Sequence, residues 1–222
     1  PNSKKAILRS CGAGIAAADD LMNKNERVFC AIRPPGHHAE TTKAMGFCFV
    51  NNIAVTAKYL QNKYKVNKIA IIDFDVHHGN GTQEIFYKDE TVLYASSHEF
   101  PLFPGTGSEQ ETGVGNIFNA PLKTGMKSKE FLKIFDQKIL RPIDKYKPEI
   151  ILISAGFDAH VRDPLANINL ESEDFFQITK KIVELANVHS KGRIISFLEG
   201  GYDLQALSES IIEHLNALKP HI

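Results

Sequence analysis

Apolar runs and polar breaks alternate along this chain, and the spacing of the apolar residues switches repeatedly between a helical and an extended period. Ile7, Leu8, Ile15, Leu21 and Met22 recur at helical spacing after Asn2 or Ser3, either of which can cap a helix running to about Asn23. Val28–Ile32 reads as a short buried strand. The prolines of Arg33-Pro-Pro-Gly-His-His-Ala-Glu end it, because proline removes a ladder donor, so a loop presents His37 and His38. Asn51 or Asn52 opens a helix to about Tyr64, and the β-branched run Ile69–Phe74 predicts a buried strand. Further on, the pattern predicts a short helix over Thr82–Tyr87, strands over Thr91–Ser96 and Ile117–Ala120, and a structured Gly- and Pro-rich loop over Pro101–Gly115 between them. Lys129–Lys145 reads as a helix bent at Pro142, Glu149–Ser154 as a strand, Glu173–His189 as a helix and Arg193–Leu198 as the last strand. Leu204–Leu218 closes the chain as an amphipathic helix.

Strands that alternate with helices imply a mainly parallel sheet covered on both faces, with right-handed crossovers. Ligands bind such sheets beyond the carboxyl ends of the strands. His37 and His38, Asp73–His78, Asp158 and Gly200–Tyr202 follow four different strands and can meet there. Alternation continued past Ile69–Phe74 would set Asp73, Asp75 and His77 on one face at intervals of about 6.6 Å, with Val76 and His78 on the other. Asp75, His77 and Asp158 form a two-carboxylate, one-imidazole set suited to Zn²⁺ with an open position. His37 and His38 then suit proton transfer beside the metal, Asp73 and Asn80 suit orienting those imidazoles, and the Tyr202 phenol suits donation to an oxyanion. The reaction class that uses all these parts is metal-assisted hydrolysis of an amide. On residue type alone each part also has a plainer reading: a surface loop for His37 and His38, a helix cap for Asp158, a turn for Gly200-Gly-Tyr and core positions for Phe47 and Phe103.

Composition narrows the partners rather than the chemistry. With 222 residues, of which 43% are hydrophobic and 23% charged, residues 1–222 are read as one domain with a sizeable core. Twenty-six basic residues balance 26 acidic ones, so no global field draws the chain to nucleic acid or to a membrane surface. Cys11, Cys30 and Cys48 follow no disulfide or metal spacing, which suits reduced thiols in a cytoplasmic setting, or a nuclear one in a eukaryote. No apolar run is long enough to span a bilayer and no signal peptide is read.

Arg33-Pro-Pro-Gly-His-His-Ala, Gly46-Phe-Cys-Phe-Val-Asn-Asn, Asp73-Phe-Asp-Val-His-His-Gly-Asn-Gly-Thr, Phe103-Pro-Gly-Thr-Gly, Gly156-Phe-Asp-Ala-His and Leu198-Glu-Gly-Gly-Tyr occur in this order over about residues 6–218. In these motifs the chain resembles zinc-dependent histone deacetylases and their bacterial relatives, and Asn80 with Glu199 places it nearer the class II branch. The resemblance implies the arginase/deacetylase α/β fold and one Zn²⁺ held by Asp75, His77 and Asp158. It implies His38 as principal general base and acid, His37 as its electrostatic partner, Asp73 behind His37, Asn80 behind His38, and Tyr202 polarising the acyl carbonyl. Gly46, Phe47, Phe103, Leu165, Gly200 and Gly201 would line a narrow tunnel for an acyl-lysine side chain. A structural potassium ion would sit around Asp73, Asp75, His77, Ser96 and Ser97.

Gly79 and His160 stand where related arginases carry further carboxylates for a second ion, which favours a single metal. Leu165 stands where polyamine deacetylases of the branch carry a glutamate, which favours acyl-lysine of proteins or peptides over a polyamine. Members of the family start well before the segment matching Pro1, so the first strands and a rim loop of the family domain are expected to be missing. Two other functions fit the same motifs: an acyl-lysine-binding module with little turnover, and a deacylase of small-molecule amides such as acetylpolyamines. Oligomeric state is not legible.

Overall fold

A computed structural model describes residues 2–24 and 27–219. Helix α1 (Ser3–Lys24) is followed by β1 (Val28–Cys30), α2 (Asn52–Tyr64), β2 (Ile69–Asp73), α3 (Asn80–Phe86), β3 (Val92–Glu99) and β4 (Ile117–Leu122). Helix α4 (Ser128–Ile134) runs through a π-helical turn (Phe135–Leu140) into α5 (Arg141–Tyr146), and β5 (Ile150–Ala155), α6 (Ser172–His189), β6 (Ile194–Leu198) and α7 (Leu204–Leu218) complete the chain. The six strands form one sheet in the order β1-β6-β5-β2-β3-β4, and every pairing is parallel.

The strands are apolar throughout because both faces are covered. Alternation along β2 and β5 sends Ala70, Ile72, Ile151 and Ile153 into one core with Phe131, Phe135, Phe175, Ile178 and Ile182. The intervening Ile69, Ile71, Ile150 and Leu152 enter the other, with Leu21, Ile53, Ala57 and Leu60 of α1 and α2. Register then levels the strand ends. Asp73 is paired with Ser96 on β3 and with Ser154 on β5, and Ser154 with Phe197 on β6. The segments that leave β2, β5 and β6 therefore start within about one residue of the same height, while β3 runs on three residues past Ser96 to Glu99.

Two predicted elements differ in ways that matter. Strand β2 stops at Asp73, so Asp75 and His77 lie in the turn before α3 and not on an extended strand. The alternation read for Asp73, Asp75 and His77 is thus corrected: a turn, stitched by the Asp75 N–H to Asp73 Oδ1 (3.2 Å) and the His77 N–H to Asp75 Oδ1 (2.9 Å), brings the last two together. The Lys129–Lys145 helix is broken not at Pro142, which sits comfortably in the first turn of α5, but by the π-helical turn just before it.

One buried histidine sits in the core, away from the cavity that holds the candidate site. His214 of α7 lies edge-on to Phe74 and Phe157 (6.0 and 5.6 Å between ring centroids) and joins Thr179 of α6 (2.6 Å) to Ser196 of β6 (2.9 Å). Burial lowers its pKa to about 3, whereas in the unfolded chain it titrates near 6.5. The unfolded state therefore takes a proton between about pH 6.5 and 3 that the folded state refuses, so stability present above this window is lost as pH falls through it. His78 and His98, likewise lowered by burial, act in the same direction. Asp158 and Glu199, whose pKa values burial raises to about 7, act the opposite way over this range. The His214 contribution is therefore read as a difference: the urea midpoint of the metal-free wild type is expected to fall relative to that of His214→Gln as pH goes from about 6.5 to about 4.

Candidate functional site

The turn after β2 and the loop after β5 carry the metal-ligand candidates. Asp75, His77 and Asp158 each offer one ligand atom, all within 4.8 Å of one another. His77 Nδ1 lies 3.2 Å from Asp75 Oδ1 and 3.0 Å from Asp158 Oδ2. The other carboxylate oxygens are engaged from behind: Gly200 N–H donates to Asp75 Oδ2 (2.8 Å) and Val76 N–H to Asp158 Oδ1 (2.9 Å). Each carboxylate is thereby left with one oxygen facing the imidazole. Both are buried, at 1% and 0% exposure, and burial together with the neighbouring Asp75 raises the Asp158 pKa to about 7. Burial lowers the His77 pKa, but hydrogen bonds and charge from Asp158 and Asp75 outweigh it and bring it up to about 11. A site that takes up protons this readily is one where a divalent cation would relieve the same buried negative charge.

His37 and His38 enter from the loop after β1, with ring centroids 4.0 Å apart, and their surroundings separate their roles. His37 Nδ1 is 3.0 Å from Asp73 Oδ2. Burial works against its charge, but Asp73, Asp75 and Glu199 outweigh it and raise its pKa to about 10. Beside that imidazolium, burial and the like charge lower the pKa of His38 to about 3. Asn80 donates from Nδ2 to Glu40 (2.7 Å), so its Oδ1 accepts from His38 Nδ1 (2.9 Å). His38 therefore keeps its proton on Nδ1 and turns a free Nε2 lone pair outward. Glu40, which fixes the Asn80 amide, carried no role in the sequence reading; only an Asn80-centred hydrogen-bond count could have suggested it.

A cavity of about 440 Å³ opens above these groups, lined by His38, Gly46, Phe47, His77, Leu102, Phe103, Leu165 and Tyr202. The exposure of Phe47 (68%) and Phe103 (47%) overturns the core reading that residue type favours. Gly46 has φ +55° and lies so close to His38 that a Cβ would fall 2.2 Å from its Cδ2, which requires glycine there. Leu102 joins the lining unforeseen; Gly200, expected beside it, donates its N–H to Asp75 Oδ2, and Gly201 carries the chain on to Tyr202. Burial, Asp75 and Asp158 raise the pKa of Tyr202, so its phenol stays a donor. Ser96 Oγ is 2.9 Å from His98 Nδ1, while Ser97 Oγ is buried without a partner among the described residues. The loop carrying Phe103 is anchored by His78, bonded to Thr106 and Gln83, and by Glu111, which accepts from Gln83 Nε2 and from the N–H groups of Gly107 and Ser108.

A parallel sheet with helices on both faces and a candidate single-metal centre at its carboxyl edge defines the class. Residues 1–218 match the histone deacetylase domain family, and the chain belongs to that family. It is 42% identical over 220 residues to a chloroplastic histone deacetylase 10 of Oryza sativa subsp. japonica, covering 95% of this chain and 50% of that protein. A probable deacetylase of Archaeoglobus fulgidus is 41% identical over 203 residues, covering 89% of this chain and 56% of that one. The chain thus spans about half the length of these relatives. The solved HDA15 HD domain superposes with a TM-score of 0.90 at 36% identity over 96% of this chain and 62% of that one. The fold is therefore the arginase/deacetylase fold.

Proposed function

We propose that this chain, residues 1–222 as one catalytic domain, removes acetyl or related acyl groups from lysine side chains by zinc-dependent hydrolysis. The observation that carries the reading is the meeting, in one cavity, of His77 from the Asp75–His77–Asp158 set, the outward lone pair of His38 and the Tyr202 phenol. Two carboxylate oxygens and one Nδ1 facing each other fit Zn²⁺ with a remaining open position, so Asp75, His77 and Asp158 would hold it. Bound there, the ion supplies Lewis acidity toward water and a carbonyl. The protein's own groups do the rest. His38 Nε2 takes a proton from the attacking water as the water oxygen bonds to the acyl carbon. Tyr202 donates a hydrogen bond to the carbonyl oxygen. The C–N bond then breaks, and the proton held by His38 passes to the departing lysine amine. His37, held cationic by Asp73 and Asp75, keeps His38 neutral between turnovers.

Among the described residues lining the cavity none is a carboxylate, and Leu165 is one of them. This supports an uncharged acyl-lysine stem over an acetylpolyamine, whose further amines would lose a counter-charge. In a competition assay kcat/KM for an acetyl-lysine peptide is expected to exceed that for acetylspermidine by more than about tenfold, a difference of about 1.4 kcal/mol; the reverse order would move the proposal to small-molecule amides. The orphaned Ser97 Oγ supports an oxygen-ligated monovalent cation near Asp73, Asp75, His77, Ser96 and Ser97. Free Cys11, Cys30 and Cys48 support a reducing, cytoplasmic setting, and no helix among the described residues is long and apolar enough to cross a membrane.

A further inference from the structure

Tyr202 poses a positioning problem that its own side chain does not solve. The residue is 36% exposed and follows two glycines, of which Gly201 has φ +132°, so neither core packing nor the preceding backbone holds it still. What holds the segment is a pair of carboxylates at its two ends. Gly200 N–H donates to Asp75 Oδ2 (2.8 Å), and two residues later Tyr202 N–H donates to Asp163 Oδ2 (2.8 Å). The other Asp163 oxygen, Oδ1, accepts from Leu165 N–H (2.9 Å), and Leu165 is 48% exposed. A single carboxylate, itself only 8% exposed, thus fixes the backbone beneath both solvent-exposed side chains on one wall of the cavity. Asp163-Pro reads from sequence only as part of a loop, because the residue it serves is 39 positions away.

We infer that Asp163 is a positioning residue: it sets the place of the Tyr202 phenol over the reacting carbonyl and aligns Leu165 beside it. The inference rests on the functional reading above. It requires Asp163 and Tyr202 to act as one unit, because a carboxylate that only stabilised the fold would not care whether a phenol follows.

The test is a double-mutant cycle of Asp163→Ala with Tyr202→Phe on zinc-loaded protein, with Asp163→Asn as a variant that keeps the shape of the side chain. Asp163→Ala is expected to lower kcat by about 10–100-fold, the scale of misplacing a catalytic group by about 1 Å, with a smaller rise in KM. In the Tyr202→Phe background the same substitution should cost under about threefold, and Asp163→Asn should fall between the wild type and Asp163→Ala. Equal losses in both backgrounds would overturn the inference. A crystal structure of Asp163→Ala supplies a readout independent of turnover. Displacement of residues 200–203 with Asp75, His77 and Asp158 unmoved supports the inference even if no substrate turns over, whereas an unshifted Tyr202 sinks it. Full activity in Tyr202→Phe alone would instead defeat the role given to the phenol, and this inference with it.

Discussion

His38→Ala is expected to lower kcat for hydrolysis of an acetyl-lysine peptide by about 10²–10⁴-fold, the usual contribution of a positioned general base. Bound zinc should remain at one per chain, because His38 is not among the candidate ligands. The size of the effect follows from how much of the surrounding structure serves this one nitrogen. Glu40 orients Asn80, Asn80 fixes the proton on His38 Nδ1, and His37 keeps His38 neutral, all of which leaves Nε2 available toward the cavity. His37→Ala should cost less, since it removes an electrostatic neighbour and leaves the Asn80 contact intact. Steady-state kinetics with zinc analysis of each variant checks both statements; a His38→Ala enzyme within threefold of wild type would remove the general base from the account.

Asp158→Asn carries the second large effect, on metal affinity. The amide can still accept the Val76 N–H through Oδ1, so the turn after β2 should persist, but the anionic oxygen opposite His77 and Asp75 is gone. Zinc affinity is expected to fall by more than about 100-fold, because loss of an outer partner of a ligand alone costs 10–100-fold. Stability supplies a second readout. Zinc at a hundred times its Kd should stabilise the wild-type chain by about 2.7 kcal/mol, an increment the variant should lack. Calorimetric zinc titration and melting with and without zinc test this. An unchanged affinity in Asp158→Asn would exclude Asp158 as a ligand.

Strand and helix order was legible because long apolar runs such as Ile69–Ile72 and Ile150–Ile153 leave little choice, and because parallel sheets place loops at a common edge. Boundaries failed where polar residues are buried. Strand β3 continues through Ser97, His98 and Glu99, all of them buried, whereas their polarity reads as a strand end. Only tertiary partners such as the Gly107 carbonyl for His98 and the Thr124 hydroxyl for Glu99 make this possible. The same limit governs the site. Asp75, His77 and Asp158 could be brought together from topology, yet the turn that joins the first two depends on backbone hydrogen bonds to carboxylates, which no period reveals. Glu40 and Asp163 were invisible for a like reason: each works on a group about 40 residues away, through an atom that sequence does not orient.

The most direct test of the account is acetate release from an acetyl-lysine peptide by this chain, measured metal-free and after addition of one equivalent of Zn²⁺. The account predicts release that depends on zinc, saturates at one ion per chain and disappears in His38→Ala. A chain that binds one zinc and still releases no acetate would contradict it.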